Sequence, residues 1–218
     1  MKLSALLVCL MFAIAPAVAQ IPDELEEPKS NTAGLMVGAY VGLVPGFTVT
    51  GKDAQAGLAA KLGTAPGFGL QIGYTLRPWL AAFANVDRSD HDSETPLGED
   101  GYSLHHIELG ARFFYHLPRR ERIVAHGNIG VGARQIYNKR ARLDTATGRL
   151  ILTARELNAG GGVHYFIARN FALDGNLQFG VGHFNKGILP GQPKQKIRTE
   201  GVMSTRLRAG IAWYPSDF

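Results

Sequence analysis

The chain has 218 residues, a formal net charge of +5, a charged fraction of 19%, 27 glycines and one cysteine. Its length suits about one domain, and its glycine-rich, charge-poor composition fits a β-rich chain better than a helical bundle. The mild cationic excess is no argument for nucleic acid in an exported chain. With Cys9 inside the leader described next, disulfide and thiol chemistry drop out as well.

Residues 1–19 read as a signal peptide. Lys2 supplies the basic start, Leu3 to Ile14 the apolar run, and Ala17-Val18-Ala19 the small-x-small pattern before Gln20. The run is shorter than the ~20 residues of a spanning helix. Cys9 lies too early in it, without a small residue before it, to carry a lipoprotein anchor. Residues 20–34 hold Pro22, Asp23, Glu24, Glu26, Glu27 and Pro28 with little to bury, and are expected to form a flexible periplasmic leader.

From Leu35 the pattern changes to period 2. Leu35, Val37, Ala39, Val41 and Leu43 share one face, against Met36, Gly38, Tyr40 and Gly42 on the other. The same alternation returns over 68–74, 80–87, 106–115, 123–134, 156–165, 171–182 and 206–213, giving eight segments of roughly ten residues. No later run of 18 apolar residues exists, so any membrane span must be a closed barrel: in hydrocarbon every backbone polar group needs a partner, and an open sheet edge leaves a row without one. The connections alternate in length. Those at 75–78, 117–122 and 168–170 are tight; those at 45–66, 89–101, 138–150 and 186–201 are long, as in barrels with short periplasmic turns and long outer loops. Tyr74, Trp79, Phe113, Tyr115, Tyr165, Phe171 and Trp213 crowd the short-turn ends, which predicts an aromatic girdle there.

The face opposite the apolar one carries the chemistry. Asp87, Glu108, Glu156 and Asp174 are matched in number by Arg112, Arg134, Arg206 and Arg208. An eight-stranded lumen is filled by side chains, and charges buried together must pair because a lone buried charge is costly. The expectation is a paired, plugging network; the alternative is a narrow gated pore. His106, His126 and His164 share that face and, with Glu108 and Glu156, offer zinc-type ligands. Their spacing includes no H-x-H or H-x3-H, and strand direction puts His106 near the outer end and the other two near the inner one. Neither a metal nor a cofactor is expected. The second long loop is acidic (Asp90, Asp92, Glu94, Glu99, Asp100). The third and fourth are basic, with Lys139, Arg140, Arg142, Arg149, Lys186, Lys194, Lys196 and Arg198, groups suited to charge-assisted bonds with lipopolysaccharide phosphates.

The segments GFGLQIGYTLRPWLAAFANVD, HHIELGARFFYHL, NAGGGVHYFIARNFALDGNLQF and RLRAGIAWYPSDF carry a resemblance to the outer-membrane β-barrel family, the OmpA-like and OmpW-like eight-stranded proteins. The resemblance covers 35–218. It implies an all-β fold, an eight-stranded antiparallel transmembrane β-barrel in the cell outer membrane, monomeric and embedded in outer-membrane lipids. It also implies that Phe218 is an assembly signal read by the barrel-insertion machinery. Pro215 and Asp217 depart from the usual ending, so the last strand must stop early. The peptidoglycan-binding domain of OmpA itself is not expected here. Members range over adhesion, lipid traffic and plain stability.

The stretch GHFNKGIL, with His183, looks like the HxSN segment of barrel lipid A deacylases, in which His activates a Ser two residues on. Asn185 occupies that place and has no nucleophilic oxygen, while the alternation turns His183 outward. The resulting expectation is a non-enzymatic envelope barrel with a structural or surface-interaction role. A narrow channel for small polar solutes stands second, and a deacylase-like barrel lacking its serine third.

Overall fold

The computed structural model describes residues 31–44, 48–50, 64–91, 101–143, 146–196 and 201–215. The proposed signal peptide, most of the proposed leader, Asp92, Glu94, Glu99, Asp100, Arg198 and Phe218 lie outside them. The strands are β1 (Gly34–Val44), β2 (Thr48–Thr50), β3 (Ala65–Arg77), β4 (Leu80–His91), β5 (Tyr102–His116), β6 (Ile123–Leu143), β7 (Ala146–Ala168), β8 (Phe171–Ile188), β9 (Gln195–Lys196) and β10 (Gly201–Trp213).

Eight of them close into an antiparallel ring in the order β1-β3-β4-β5-β6-β7-β8-β10. The seam is β10, which pairs with β8 from Val202↔Gly182 to Trp213↔Phe171 and with β1 from Leu43↔Leu207 to Val37↔Trp213. The two short strands only extend the ring at its long-loop end, β2 on β10 and β9 on β8.

Residue parity decides which way each side chain points, and it does so in the inverse sense to a water-soluble sheet. Leu109 is 60% exposed and Val131 63%, whereas Arg134 and Arg206 are 0% and 1% exposed. A chain that turns aliphatic rows out and arginines in is stable only where the outer solvent is hydrocarbon. The expected girdle forms at the short-turn end, with Trp79 stacked on Phe113 (centroids 6.3 Å apart) and Phe171 on Trp213 (6.1 Å).

One expected loop is mostly strand. Residues 138–150 continue the β6–β7 ladder from Asn138↔Leu150 to Leu143↔Ala146 across a register shift after Asn138. The period-2 pattern runs on, but its inward residues Ala141, Leu150 and Leu152 are apolar and no longer contrast with an apolar outer face. These three join Val44, Tyr102, Leu104, Ile136, Ala154, Phe184 and Leu189 in a buried cluster inside the long-loop end. A second cluster of Met36, Ala81, Phe114, Val124, Phe166, Ala172, Ala212 and Tyr214 fills the short-turn end. Across that mouth the chain preceding β1 is tied down: Asn31 N donates to Arg169 O (3.1 Å) and Thr75 Oγ1 donates to Thr32 O.

Candidate functional site

Between the two apolar clusters the lumen is polar, and its charges fall into two groups. The group nearer the long loops centres on Asp87, Glu156 and three arginines. Arg208 Nη2 lies 2.9 Å from Asp87 Oδ2 and Arg206 Nη1 lies 3.7 Å from it. Arg134 Nε is 2.7 Å from Glu156 Oε1, and Arg206 Nη2 is 3.6 Å from Glu156 Oε2. His106 Nδ1 sits 3.0 Å from Asp87 Oδ2. Tyr40 donates to the same carboxylate (3.3 Å), and the Arg208 guanidinium lies over the Tyr40 ring, 4.7 Å from its centroid. Asn158 Oδ1 accepts from Arg206 Nη2 (2.6 Å) and Ser204 Oγ from Arg134 Nη2 (3.0 Å).

The inner group centres on Asp174. Its Oδ1 is 3.0 Å from His126 Nε2 and 3.2 Å from His164 Nε2, and Gln71 Nε2 donates to its Oδ2 at 3.4 Å. Arg112 donates to Asn128 Oδ1 (2.8 Å) and Gln71 Oε1 (3.1 Å) and lies 3.4 Å from His164 Nε2. Tyr214 Oη is 3.1 Å from the other nitrogen of that imidazole.

All eight residues expected in the lumen lie there, but one-to-one pairing fails. Among the described residues, Glu108 has no arginine within salt-bridge distance. Its oxygens accept from Asn85 Nδ2 (2.9 Å) and Gln178 Nε2 (2.6 Å). The ladder explains the difference. Glu108 stands directly opposite Asn85 on β4, which takes it up locally. Glu156 stands between Gly132 and Gly182, with nothing beside it, and reaches the arginines instead. Arg112 is likewise taken by its ladder partner Asn128. The amides Gln71, Asn85, Asn128, Asn158 and Gln178, absent from the charge-based reading, share the parity of the charged residues, and that parity was the signal that marked them.

The three histidines separate as their strand positions imply, His106 in the outer group and His126 with His164 in the inner. The latter two and Asp174 bring their ligand atoms within 4.8 Å of one another, all buried. Arg112 stands against His164 Nε2, so a divalent cation there would face a guanidinium. The arrangement works as a hydrogen-bonded acid–imidazole cluster. Near the long loops, Ser89 Oγ and His91 Nε2 approach to 2.8 Å, both buried, with His91 stacked on Tyr102. His183 is exposed on the outer wall of β8 and Asn185 is half-buried.

Of the proposed lipid-phosphate contacts, Arg140, Arg149, Lys186 and Lys194 are exposed at the long-loop end. Lys139 and Arg142 lie on β6, and Lys196 on β9 opposite Lys186. Asp90 of the acidic stretch bonds Arg88 (2.9 Å) and Ser103 (2.6 Å) on the outer surface.

Solved structures share this architecture at low identity. Neisserial surface protein A is 16% identical, with a TM-score of 0.54 and coverage of 83% of this chain and 97% of that one. OprG from Pseudomonas aeruginosa is 11% identical, with a TM-score of 0.56 and coverage of 84% and 97%. Ail, the attachment invasion locus protein of Yersinia pestis, in complex with the heparin analogue sucrose octasulfate, is 12% identical, with a TM-score of 0.50 and coverage of 84% and 99%. No curated protein matches the sequence. At these identities the likeness speaks for the fold alone. The profile of the outer membrane protein beta-barrel domain matches residues 5–202, and with a closed eight-strand ring, an apolar outer wall and a charged lumen, the chain belongs to that family.

Proposed function

We propose that the protein is a non-conducting envelope barrel, whose plugged lumen makes it a rigid membrane element and whose long-loop end contacts the cell surface. One observation carries this reading: among the described residues, the polar lumen is bounded at both ends by a cluster of buried apolar side chains. Tyr102, Leu104, Phe184 and Leu189 lie at one end and Phe114, Phe166 and Tyr214 at the other. Between them the arginines are held by carboxylates and amides. The exposed Arg140, Arg149, Lys186 and Lys194 fit contact with anionic lipid at the surface.

Planar-bilayer recording on refolded protein tests the reading. No conductance steps above the lipid baseline are expected. Reproducible unitary steps would establish the narrow solute channel instead.

The orientation has its own test, because the mature sequence contains no cysteine after position 9. Cysteine placed at Gln192 should react with an impermeant maleimide on intact cells. Cysteine at Arg120 or Arg169, in the tight turns, should react only after the outer membrane is opened. Labelling of the Arg120 variant on intact cells would invert the barrel.

A further inference from the structure

On β7 and β8 the outer wall is apolar above the girdle until it reaches one row. Going up β8 from the girdle residue Phe171, the outward side chains include Leu173, Leu177, Phe179 and Val181, and the next is His183. Going up β7 from Tyr165 they include Val163 and Leu157, and the next is Arg155. Arg155 and His183 stand opposite each other in the ladder. At about 3.3 Å per residue and a tilt near 40°, the pair lies roughly 25–30 Å above the aromatic girdle, the height of an apolar band about 25 Å tall. Both are exposed, and neither has an ion-pair partner among the described residues.

The wall is dented around them. Ala133 is the ladder neighbour of Arg155 on β6, so the row presents only a methyl group beside the guanidinium. Under that row lies a second, wholly aliphatic one: Leu109, Val131, Leu157 and Val181, in register on four successive strands. The two rows line a groove of about 610 Å³ that opens to the exterior. A guanidinium facing hydrocarbon is costly and becomes tolerable only at the band's edge. There the cost is small, and an anionic partner would make the position favourable; the described protein residues offer none.

We propose that this groove is a lipid site that takes a phosphate-bearing lipid of the outer leaflet, its phosphate on Arg155 and His183 and an acyl chain along the aliphatic row. Arg155 presents a forked donor matched to phosphate geometry, His183 adds a second donor beside it, and the groove discriminates a lipid from a free anion. The leaflet assignment rests on the orientation proposed above. The binding itself does not, because it is read in a bilayer accessible from both sides.

The test uses mature full-length barrel refolded into phosphatidylcholine nanodiscs doped with bis-phosphorylated lipid A, with protein-retained lipid measured by native mass spectrometry after detergent release. The wild type should retain the phosphorylated lipid at least tenfold over its dephosphorylated form, and millimolar inorganic phosphate should not displace it. R155Q with H183Q should lose that preference, R155K should keep part of it, and A133F should lose retention with both charges intact by filling the groove. All these side chains face lipid, so heat-modifiable gel mobility should be wild-type and confirms folding. Equal retention by wild type and R155Q/H183Q, no dependence on the lipid's phosphates, or wild-type retention by A133F would overturn the proposal. Altered binding with normal topology labelling bears on this site; inverted labelling with normal binding bears only on the leaflet.

Discussion

Alanine at Glu156 is expected to lower barrel stability by about 3–5 kcal/mol, the cost of removing one partner from a buried ion pair. Glu156 is the shared counter-charge of Arg134 and Arg206, at 2.7 and 3.6 Å, and both guanidiniums are buried. Without it, Asp87 is left to answer for Arg206 as well as Arg208. Glutamine should be milder in packing but still leave the excess positive charge. Glu108→Ala leaves unsatisfied only the neutral amides of Asn85 and Gln178, which cost less to strand in a buried site than a charged guanidinium does, so it should be the milder change. Urea titration of folded barrel in lipid vesicles, followed by gel mobility, ranks the variants. An E156A midpoint equal to wild type, or one higher than that of E108A, would show that the charges do not pair as described.

That ranking was out of reach of the sequence, although the membership of the lumen was not. Parity depends only on counting along one strand, and the contrast between an apolar outside and a polar inside shows it in every segment. Hence Asp87, Glu108, Arg134 and Asp174 share the inward parity of the buried side chains. Which charge meets which depends on the stagger between strands and on what lies next door in the ladder. The glycines beside Glu156 and the asparagine opposite Glu108 become neighbours only once the hairpins set their registers. The same contrast explains where the pattern failed. The β6–β7 hairpin rises to where inward residues are apolar, so 138–150 read as a loop. Arg155 and His183 occupy outward positions where a charge ends the apolar run, so β7 read as starting at Glu156, one residue beyond Arg155. The short β2 and β9 have too few residues for any period to register.

Valine at Gly69 is expected to destabilise the barrel at its closing seam, whereas valine at Gly175 should not. Tyr40 on β1 stands between Gly69 on β3 and Gly210 on β10. A Cβ at Gly69 would lie 2.5 Å from Tyr40 Cζ, and one at Gly210 would lie 2.6 Å from Tyr40 Cβ. The ring therefore occupies the room that Gly69 leaves, whereas at Gly210 an added Cβ would meet the β1 backbone first, at Ala39 O. From that seat it supports Arg208 at 4.7 Å and bonds Asp87 at 3.3 Å, coupling the seam to the outer charge group. Forcing side-chain volume into such a fit costs about 1–3 kcal/mol. The cost rises if β1 and β10 part, since unpaired backbone in hydrocarbon has no substitute partner. Gly175 faces outward with nothing within 4 Å of its added Cβ, so G175V controls for the loss of glycine itself. Tyr40→Ala combined with G69V should recover part of the G69V deficit, because the clash disappears with the ring. The urea midpoints of the three variants decide it. If G69V unfolds with G175V, or gains nothing from the loss of Tyr40, the ring is not seated on Gly69 and the seam is held by its backbone ladder alone.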